Sequence, residues 1–521
     1  MLRGGDGAGP ARAVPQRSLP AVPRFPTTAV LHLPAAAAHR LSILKDPRTI
    51  VWFDRVIPVL LVAAAFALYL PRLTTPSWFT FDETLHAFTA GQYLDGNANA
   101  YRWDLPCSIG GGSAAECASS NPDADLASTV EGNRWAGPGT GRYEWTHPPL
   151  GMYVIAGGIL IFGDDAFGWR VASAAFGAIG VVLAYFLAWT VTRRRTVALL
   201  TSAFLLLDGL YFVQSRRGVV DIFGTVFMTA AFLAFAHYLR SPPDRVRWPL
   251  VLTGAFLGLS LAVKWNAVFA TVLIGAVGLW RLVALWRSSR RRGADATARL
   301  GFREHLLWVP VGLAAAPLAS YLMVHIPYFL EGYTLADFVD LQQARALARR
   351  SGLSLPIFNP DGTWQNDYSS RWWTWPLALR PIWHGSLLLD DTAAVSYANG
   401  NPFLYWGFVP AVLWATVRWW RARNPMVIVL LIGFFGQWLP WALLSHTSFI
   451  YHFLPAVPIG CLAVAVAVVE LCRGNTGWRR TLGIEYVVLV VAAFAFFYPI
   501  YAYVPLSEHG LEIRMWLSSW R

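Results

Sequence analysis

Two adjacent carboxylates, Asp82 and Glu83, lie in the stretch TFDETLHAFTAGQYLDG, just after the first apolar segment of the chain. Acids are scarce here, with Asp and Glu making up only 30 of 521 residues. Two close carboxylates disfavour double ionisation, so one of them gains proton affinity and becomes a better base toward a hydroxyl. The same pair is also suited to capping a helix N-terminus. Further polar motifs follow at the ends of apolar segments. THPPLG carries His147 and Pro148, GDDAFGWR carries Asp164, Asp165 and Arg170, QSRRGVVD carries Arg216, Arg217 and Asp221, and KWN carries Lys264. Fixed cations in a water-poor pocket stabilise an anion that develops on a leaving group. Acids and bases gathered at one membrane face fit a site that handles a charged, lipid-attached group. Each motif has a plainer use as well. The arginines can snorkel to lipid phosphates, the prolines can start a helix, Asp221 can pair with a nearby Arg, and Lys264 beside Trp265 can anchor at the interface.

The elements that must position these residues are membrane helices. The chain is 55% hydrophobic and 14% charged, whereas soluble domains run at about 25% charged. Stretches of roughly 20 apolar residues, each long enough to span about 30 Å of hydrocarbon, occur near 54–72, 167–190, 197–214, 219–239, 249–265, 267–285, 307–328, 402–420, 425–444, 449–471 and 483–504. The fold expected is an all-α polytopic membrane protein with about eleven transmembrane helices. The piece 149–162 is a further re-entrant or interfacial helix. Two long loops, 73–148 and 329–401, separate the groups of helices. The second contains a surface helix with Leu335, Phe338 and Val339 on one face. Residues 1–48 read as a disordered cytoplasmic tail, 49–505 as the catalytic membrane domain and 506–521 as an extracytoplasmic tail.

The net charge is +12, but the arginines fall in short connectors at 193–195, 240–247, 287–303, 418–423 and 473–480. That is an orientation signal rather than a nucleic-acid surface. It places the N-terminus in the cytoplasm and both long loops outside, in a multi-pass protein of the cell membrane. Of the four cysteines, Cys107 and Cys117 share the first loop, where a disulfide and two free thiols are both compatible with the spacing. No Gly-rich nucleotide loop is present. This argues against an ATP-driven pump and against a cytosolic nucleotide-sugar donor.

The ordered series FDET, THPPLG, FGWR, LLLDGLYFVQSRRGVVDIF, LAVKWNAVF, SSRWWTWPLALRPIW, GNPFLYWG and FIYHFLPAVP resembles the bacterial protein O-mannosyltransferases of the GT-C class. The resemblance implies a polyprenyl-phosphate-mannose donor, Ser or Thr hydroxyls of secreted or membrane proteins as acceptors, an inverting transfer at the outer membrane face and, as an open partner, the protein translocon. It makes Asp82 the catalytic base with Glu83 beside it. It brings Arg170 to the lipid phosphate, and by the chemistry of preorganised cations Arg216 and Lys264 are further candidates to stabilise that phosphate. His147, Pro148, Asp221, Trp372 and Trp373 complete the site, the tryptophans covering the cavity or stacking on a sugar. The sequence also departs from the family pattern. Leu85 and His86 stand where aromatic residues usually follow the acidic pair, Met152 stands where a Lys is common, and His446 where an Arg is.

No tightly bound cofactor or metal is expected, although a divalent cation is left open. Asp82 and Glu83 alone would be a thin ligand set for one. Two rival functions remain at this stage. One is a GT-C transferase that glycosylates a glycolipid or cell-wall polysaccharide. The other is a secondary transporter or flippase, which would call for charges near the bilayer midplane and internal repeats.

Overall fold

A long apolar run in lipid must satisfy its own backbone polar groups, which favours the helix. The computed structural model describes residues 47–105, 143–291, 296–350, 368–444, 448–474 and 476–520, with side chains from residue 56 onward and none at 349–350. Cys107, Cys117, His446 and the tail before residue 47 lie outside the described residues. The chain falls into two compact units, 1–57 and 58–521. The first is described only from residue 47, as the start of a helix; the second carries everything below.

All eleven apolar intervals are occupied by helix. In order they are α1 (Pro47–Tyr69), then α2 (Glu83–Leu94) and α3 (Leu150–Phe162) around the first loop, α4 (Ala166–Thr192), α5 (Arg195–Leu206), α6 (Gly209–Gln214), α7 (Asp221–Arg240), α8 (Arg247–Leu261) and α9 (Val268–Ser289). There follow α10 (Ala296–Pro310), α11 (Ala316–Val324), α12 (Leu335–Arg350), α13 (Pro402–Arg421), a broken helical run over 427–443, α14 (Val457–Cys472) and α15 (Gly477–Tyr501). Among the described residues, six helical stretches are by themselves long and apolar enough to cross a membrane: Ala166–Thr192, Asp221–Arg240, Trp265–Ser289, Ala296–Val324, Ile450–Cys472 and Gly477–Tyr501. The others are shorter or richer in charge, so the number of crossings is not fixed by length and composition alone.

Where a predicted span is broken, a residue accounts for it. The interval 197–214 is two helices because Asp208 stops the first and caps the second, its carboxylate accepting the Tyr211 N–H at 2.8 Å. Between α10 and α11 the helix widens to a π turn at Val311–Ala315, directly after Pro310, whose missing N–H removes one rung of the ladder. Helix α7 is buried along most of its length and packs against α4 and α8. By contrast, α9 turns Val272, Leu279 and Trp280 outward, as a helix facing lipid does.

One expectation needs correction. In α12 the inward face is Phe338, Leu341, Ala344 and Ala348, while Leu335 and Val339 are 69% and 44% exposed. The packing face is set by the 3–4 residue spacing that starts at Phe338. The fold is helical as expected, with one small addition among the described residues. The second loop contains a two-stranded antiparallel hairpin, β1 (Ile382–Leu389) and β2 (Thr392–Ala398). Its two-residue connection is Asp390–Asp391, flanked by the pair Leu389 and Thr392. The segment after α15 extends β2 through a bridge between Ala393 and Leu506, and Trp520 is buried with its indole N–H on the Ala378 carbonyl at 2.9 Å. The C-terminal segment is therefore packed, not a loose tail.

Candidate active site

The acidic turn is built on Phe81, whose φ of 51° is unusual for a residue with a side chain. The conformation is held from both sides. The Phe81 ring lies 4.6 Å from His384, and Thr80 donates to the Glu83 carboxylate from both its N–H and its hydroxyl, at 2.9 and 2.8 Å. The turn points the two acids in different directions. Glu83 is fully buried. Besides Thr80 it accepts two bonds from Arg170, at 2.7 and 2.8 Å, and one from the Gly218 N–H at 2.9 Å. Burial alone would raise its pKa, but the Arg170 charge and these bonds hold it down at about 2. A carboxylate with five donors on it has no lone pair left for catalysis.

Arg170 is equally committed, which corrects the expectation that it meets a lipid phosphate. Its Nη1 donates to the carbonyls of Leu73 and Pro76 and its Nη2 to that of Trp78, in addition to the two bonds with Glu83. All five N–H groups are thus spent on the loop it anchors. Gly218 fits this knot because a Cβ there would come within 2.8 Å of the Trp169 carbonyl oxygen. The acids ahead of Arg170 serve local structure. Asp165 caps α4 through the N–H groups of Phe167 and Gly168, and Asp164 holds the Trp169 indole.

Asp82 is placed differently. It occupies the N-cap position of α2, yet its side chain makes no capping hydrogen bond. It is half-buried. Burial and the negative charges of Asp221 and Glu144 push its pKa up to about 7, with Lys264 pulling the other way. Asp221 and Lys264 do come together, with Nζ 2.8 Å from Oδ1, and Lys264 also lies 4.7 Å from the centre of the Tyr451 ring. Three motifs converge to produce this pocket. The N–H of Leu150, after the two prolines, bonds the Ala262 carbonyl at the end of α8. Gly151 sits against Val220, where a Cβ would meet the valine Cγ1 at 2.5 Å. Pro148 is buried at this junction.

Arg216 bonds the carbonyls of Tyr69 and Pro71, and its buried Nη1 has no partner among the described residues, so most of it too is used to hold the end of α1. Arg217 is the less committed of the pair. It is 2% exposed, and its Nε and Nη1 have no partner among the described residues. It stacks 4.6 Å over Tyr503. His384 joins it from the hairpin. The strand register slips between Trp383 and Gly385, leaving His384 as the extra residue of a bulge, a device that re-aims a side chain. Both of its ring nitrogens are buried and have no hydrogen-bond partner among the described residues. Burial, with Arg217 nearby, lowers its pKa to about 3.

His147 belongs to a third cluster. The Glu144 Oε1 accepts its N–H at 2.9 Å and lies 3.2 Å from its Nδ1. One ring nitrogen or carboxylate oxygen from each of His86, Glu144 and His147 all lie within 4.8 Å of one another.

Comparison with known proteins agrees with this architecture. Residues 141–331 match the family model described as dolichyl-phosphate-mannose-protein mannosyltransferase, and residues 334–520 match that for the C-terminal four-helix membrane region of protein O-mannosyltransferase. The chain belongs to the protein O-mannosyltransferase family. A polyprenol-phosphate-mannose–protein mannosyltransferase of Mycobacterium tuberculosis is 29% identical over 430 residues, covering 72% of this chain and 81% of that protein. Its counterpart from Corynebacterium glutamicum is 27% identical over 444 residues, covering 74% and 85%. In fold, the chain is similar to the S. cerevisiae protein O-mannosyltransferase Pmt1-Pmt2 complex bound to the sugar donor, with a TM-score of 0.68 at 14% identity over 90% of this chain and 92% of that one. The GT-C fold class is thereby established.

Within this mannosyltransferase family fold, Trp372 and Trp375 of the second loop pack on other aromatic residues. Trp373 is 47% exposed, and Trp372 stacks on Trp438 and accepts that residue's indole N–H. The buried member is Trp375, packed on Trp441 and His452, so the motif supports the turn that carries Tyr451. Several pocket residues went unnoticed in the sequence: Glu144, Arg217 as more than a lipid anchor, Arg345, His384 and Tyr451. For Glu144 the signal was an acid three residues before His147. Arg345 sits in a helix that reads as surface-lying, yet it is 4% exposed and donates to the carbonyls of Trp145 and His147 at 2.8 and 3.2 Å.

Proposed function

We propose that this chain transfers mannose from a polyprenyl-phosphate-mannose donor to Ser or Thr hydroxyls of proteins at the outer face of the membrane. Asp82 acts as the general base. The observation that carries this reading is the asymmetry of the acidic pair: Glu83 is saturated by five donors, while the Asp82 carboxylate makes no capping bond and is partly open. The acceptor Oγ–H gives its proton to Asp82 as Oγ bonds the anomeric carbon. The bond from that carbon to the phosphate oxygen breaks, and the electron pair leaves with the polyprenyl phosphate. With base and leaving group on opposite sides of the sugar, the displacement is in line and inverts the anomeric centre. A base aligned in this way contributes roughly 10²–10⁴-fold.

The leaving phosphate needs fixed positive charge. Arg217, whose Nε and Nη1 are unpaired among the described residues and which lies near the likewise unpaired nitrogens of His384, fits that need better than Arg170, because buried donors without partners are costly unless a ligand completes them. Lys264 stays with Asp221 and tunes the base. The phosphate half and the base half of the pocket meet at Phe81, which touches His384 on one side and is followed by Asp82 on the other.

The test is single-turnover transfer from radiolabelled polyprenyl-phosphate-mannose to a Ser/Thr peptide in proteoliposomes. Asp82→Asn is expected to lower the rate by at least about 10²-fold with donor binding retained. Arg217→Gln is expected to raise the donor concentration needed for half-saturation. Parental rates in Asp82→Asn would remove the base assignment, and unchanged donor saturation in Arg217→Gln would remove the phosphate site.

A further inference from the structure

None of His86, Glu144 and His147 acts as base or phosphate ligand in the transfer just described. We propose that these three residues form a binding site for a divalent cation of the Zn²⁺ class, with the fourth coordination position left to water. Two atoms point to a missing ligand. His86 is 2% exposed and Glu144 fully buried, yet the Nδ1 of His86 and the Oε2 of Glu144 have no hydrogen-bond partner among the described residues. A buried polar group without a partner is costly, and a single cation between them would satisfy both.

The site is built rather than incidental. Glu144 Oε1 is taken by the His147 N–H and the Thr146 hydroxyl, which fixes the carboxylate and leaves Oε2 for a ligand. The Glu144 N–H is held by Thr89 of α2 at 2.9 Å, one turn beyond His86 on the same helix. From the other side, Arg345 of α12 grips the carbonyls of Trp145 and His147. Two helices and a loop thus hold the ligands in place, which is what supporting contacts around a metal do.

The donor set names the ion. Two imidazoles and one carboxylate suit Zn²⁺ and its neighbours, whereas Mg²⁺ and Ca²⁺ prefer oxygen throughout. Metal–ligand distances of about 2.0–2.2 Å put tetrahedral ligands roughly 3.3 Å apart. The present spread of up to 4.8 Å therefore closes by small side-chain rotations. The carboxylate pair of the sequence reading is excluded as the cation holder, since Glu83 is fully occupied by protein donors.

The experiment uses the purified full chain in detergent, stripped with a chelator and titrated with Co²⁺ and then Zn²⁺ against a chromophoric competitor. One ion per chain is expected, with Co²⁺ giving the intense visible absorption of a four-coordinate site and Zn²⁺ abolishing it. His86→Phe and, separately, Glu144→Gln are each expected to weaken that binding by at least about tenfold. His86→Phe should unfold no earlier than the metal-free parent, because the orphaned nitrogen is gone. Absence of a stoichiometric ion in the parent would overturn the proposal, as would equal affinity in the parent and both folded variants.

Discussion

At the scale of single residues, the chemistry rests on two neighbouring acids that the fold treats oppositely. Glu83 is kept ionised by Arg170 and a ring of donors, at about 2, while Asp82 is raised to about 7 by burial and by Asp221 and Glu144 against Lys264. A general base works in its deprotonated form, so activity should rise with pH through an acid limb centred near 7. Asp221→Asn removes one of the charges that raise the Asp82 pKa and frees Lys264 to lower it further, so the limb should move to lower pH. The measurement is kcat/KM against pH in chelator-containing buffer. A profile flat through the neutral range, or no movement in Asp221→Asn, would count against Asp82 as the titrating base. The sequence displays the pair plainly but not its division of labour. That division depends on a guanidinium 87 positions away and a backbone N–H 135 positions away, and no local pattern encodes either. His86 and Glu144 stayed hidden for the same reason: the metal spacing exists only across space.

At the scale of elements, Arg170 is the fastener between α4 and the strand of loop that leads from α1 to α2. Three carbonyls of that loop and the Glu83 carboxylate all converge on it. Removing one partner of a buried pair leaves the other charge uncompensated, at a cost of about 3–5 kcal/mol. Arg170→Ala should therefore lower the thermal unfolding temperature in detergent and the folded yield sharply. Arg170→Lys should rescue little, because an ammonium cannot reach five acceptors in the plane of a guanidinium. The folded fraction of Arg170→Lys should show a donor KM close to that of the parent. Normal stability combined with a raised donor KM would restore the phosphate contact that the sequence suggested. The helices themselves were legible, since an apolar run in lipid has few alternatives. The hairpin was not. LLLDDTAAVSYA has neither a clean alternation nor a Gly-containing turn, and its second strand is secured by a bridge to Leu506, far away in sequence.

At the scale of the whole molecule, the site and the arginine clusters occupy opposite ends of the same helices. Helix α7 starts at Asp221 and ends at Arg240, and α4 runs from just before Arg170 to Arg193. Helix α8 runs the other way, from Arg247 toward Lys264, and α14 follows the Tyr451 turn and ends beside Arg473. At 1.5 Å per residue, the 20 residues of α7 place these ends about 30 Å apart, the thickness of a hydrocarbon core. Because Lys and Arg concentrate on the cytoplasmic side, the acidic turn should face outward, toward chains that have crossed the membrane. The prediction is read by single-cysteine labelling in a background with Cys107, Cys117, Cys461 and Cys472 replaced. Trp373→Cys, exposed in the second loop, should react with a membrane-impermeant maleimide in intact cells. Ala422→Cys, exposed beside the arginines after α13, should react only after lysis. Labelling of Ala422→Cys in intact cells would place the arginines outside and turn the site toward the cytoplasm, where the arginine distribution would no longer account for the orientation.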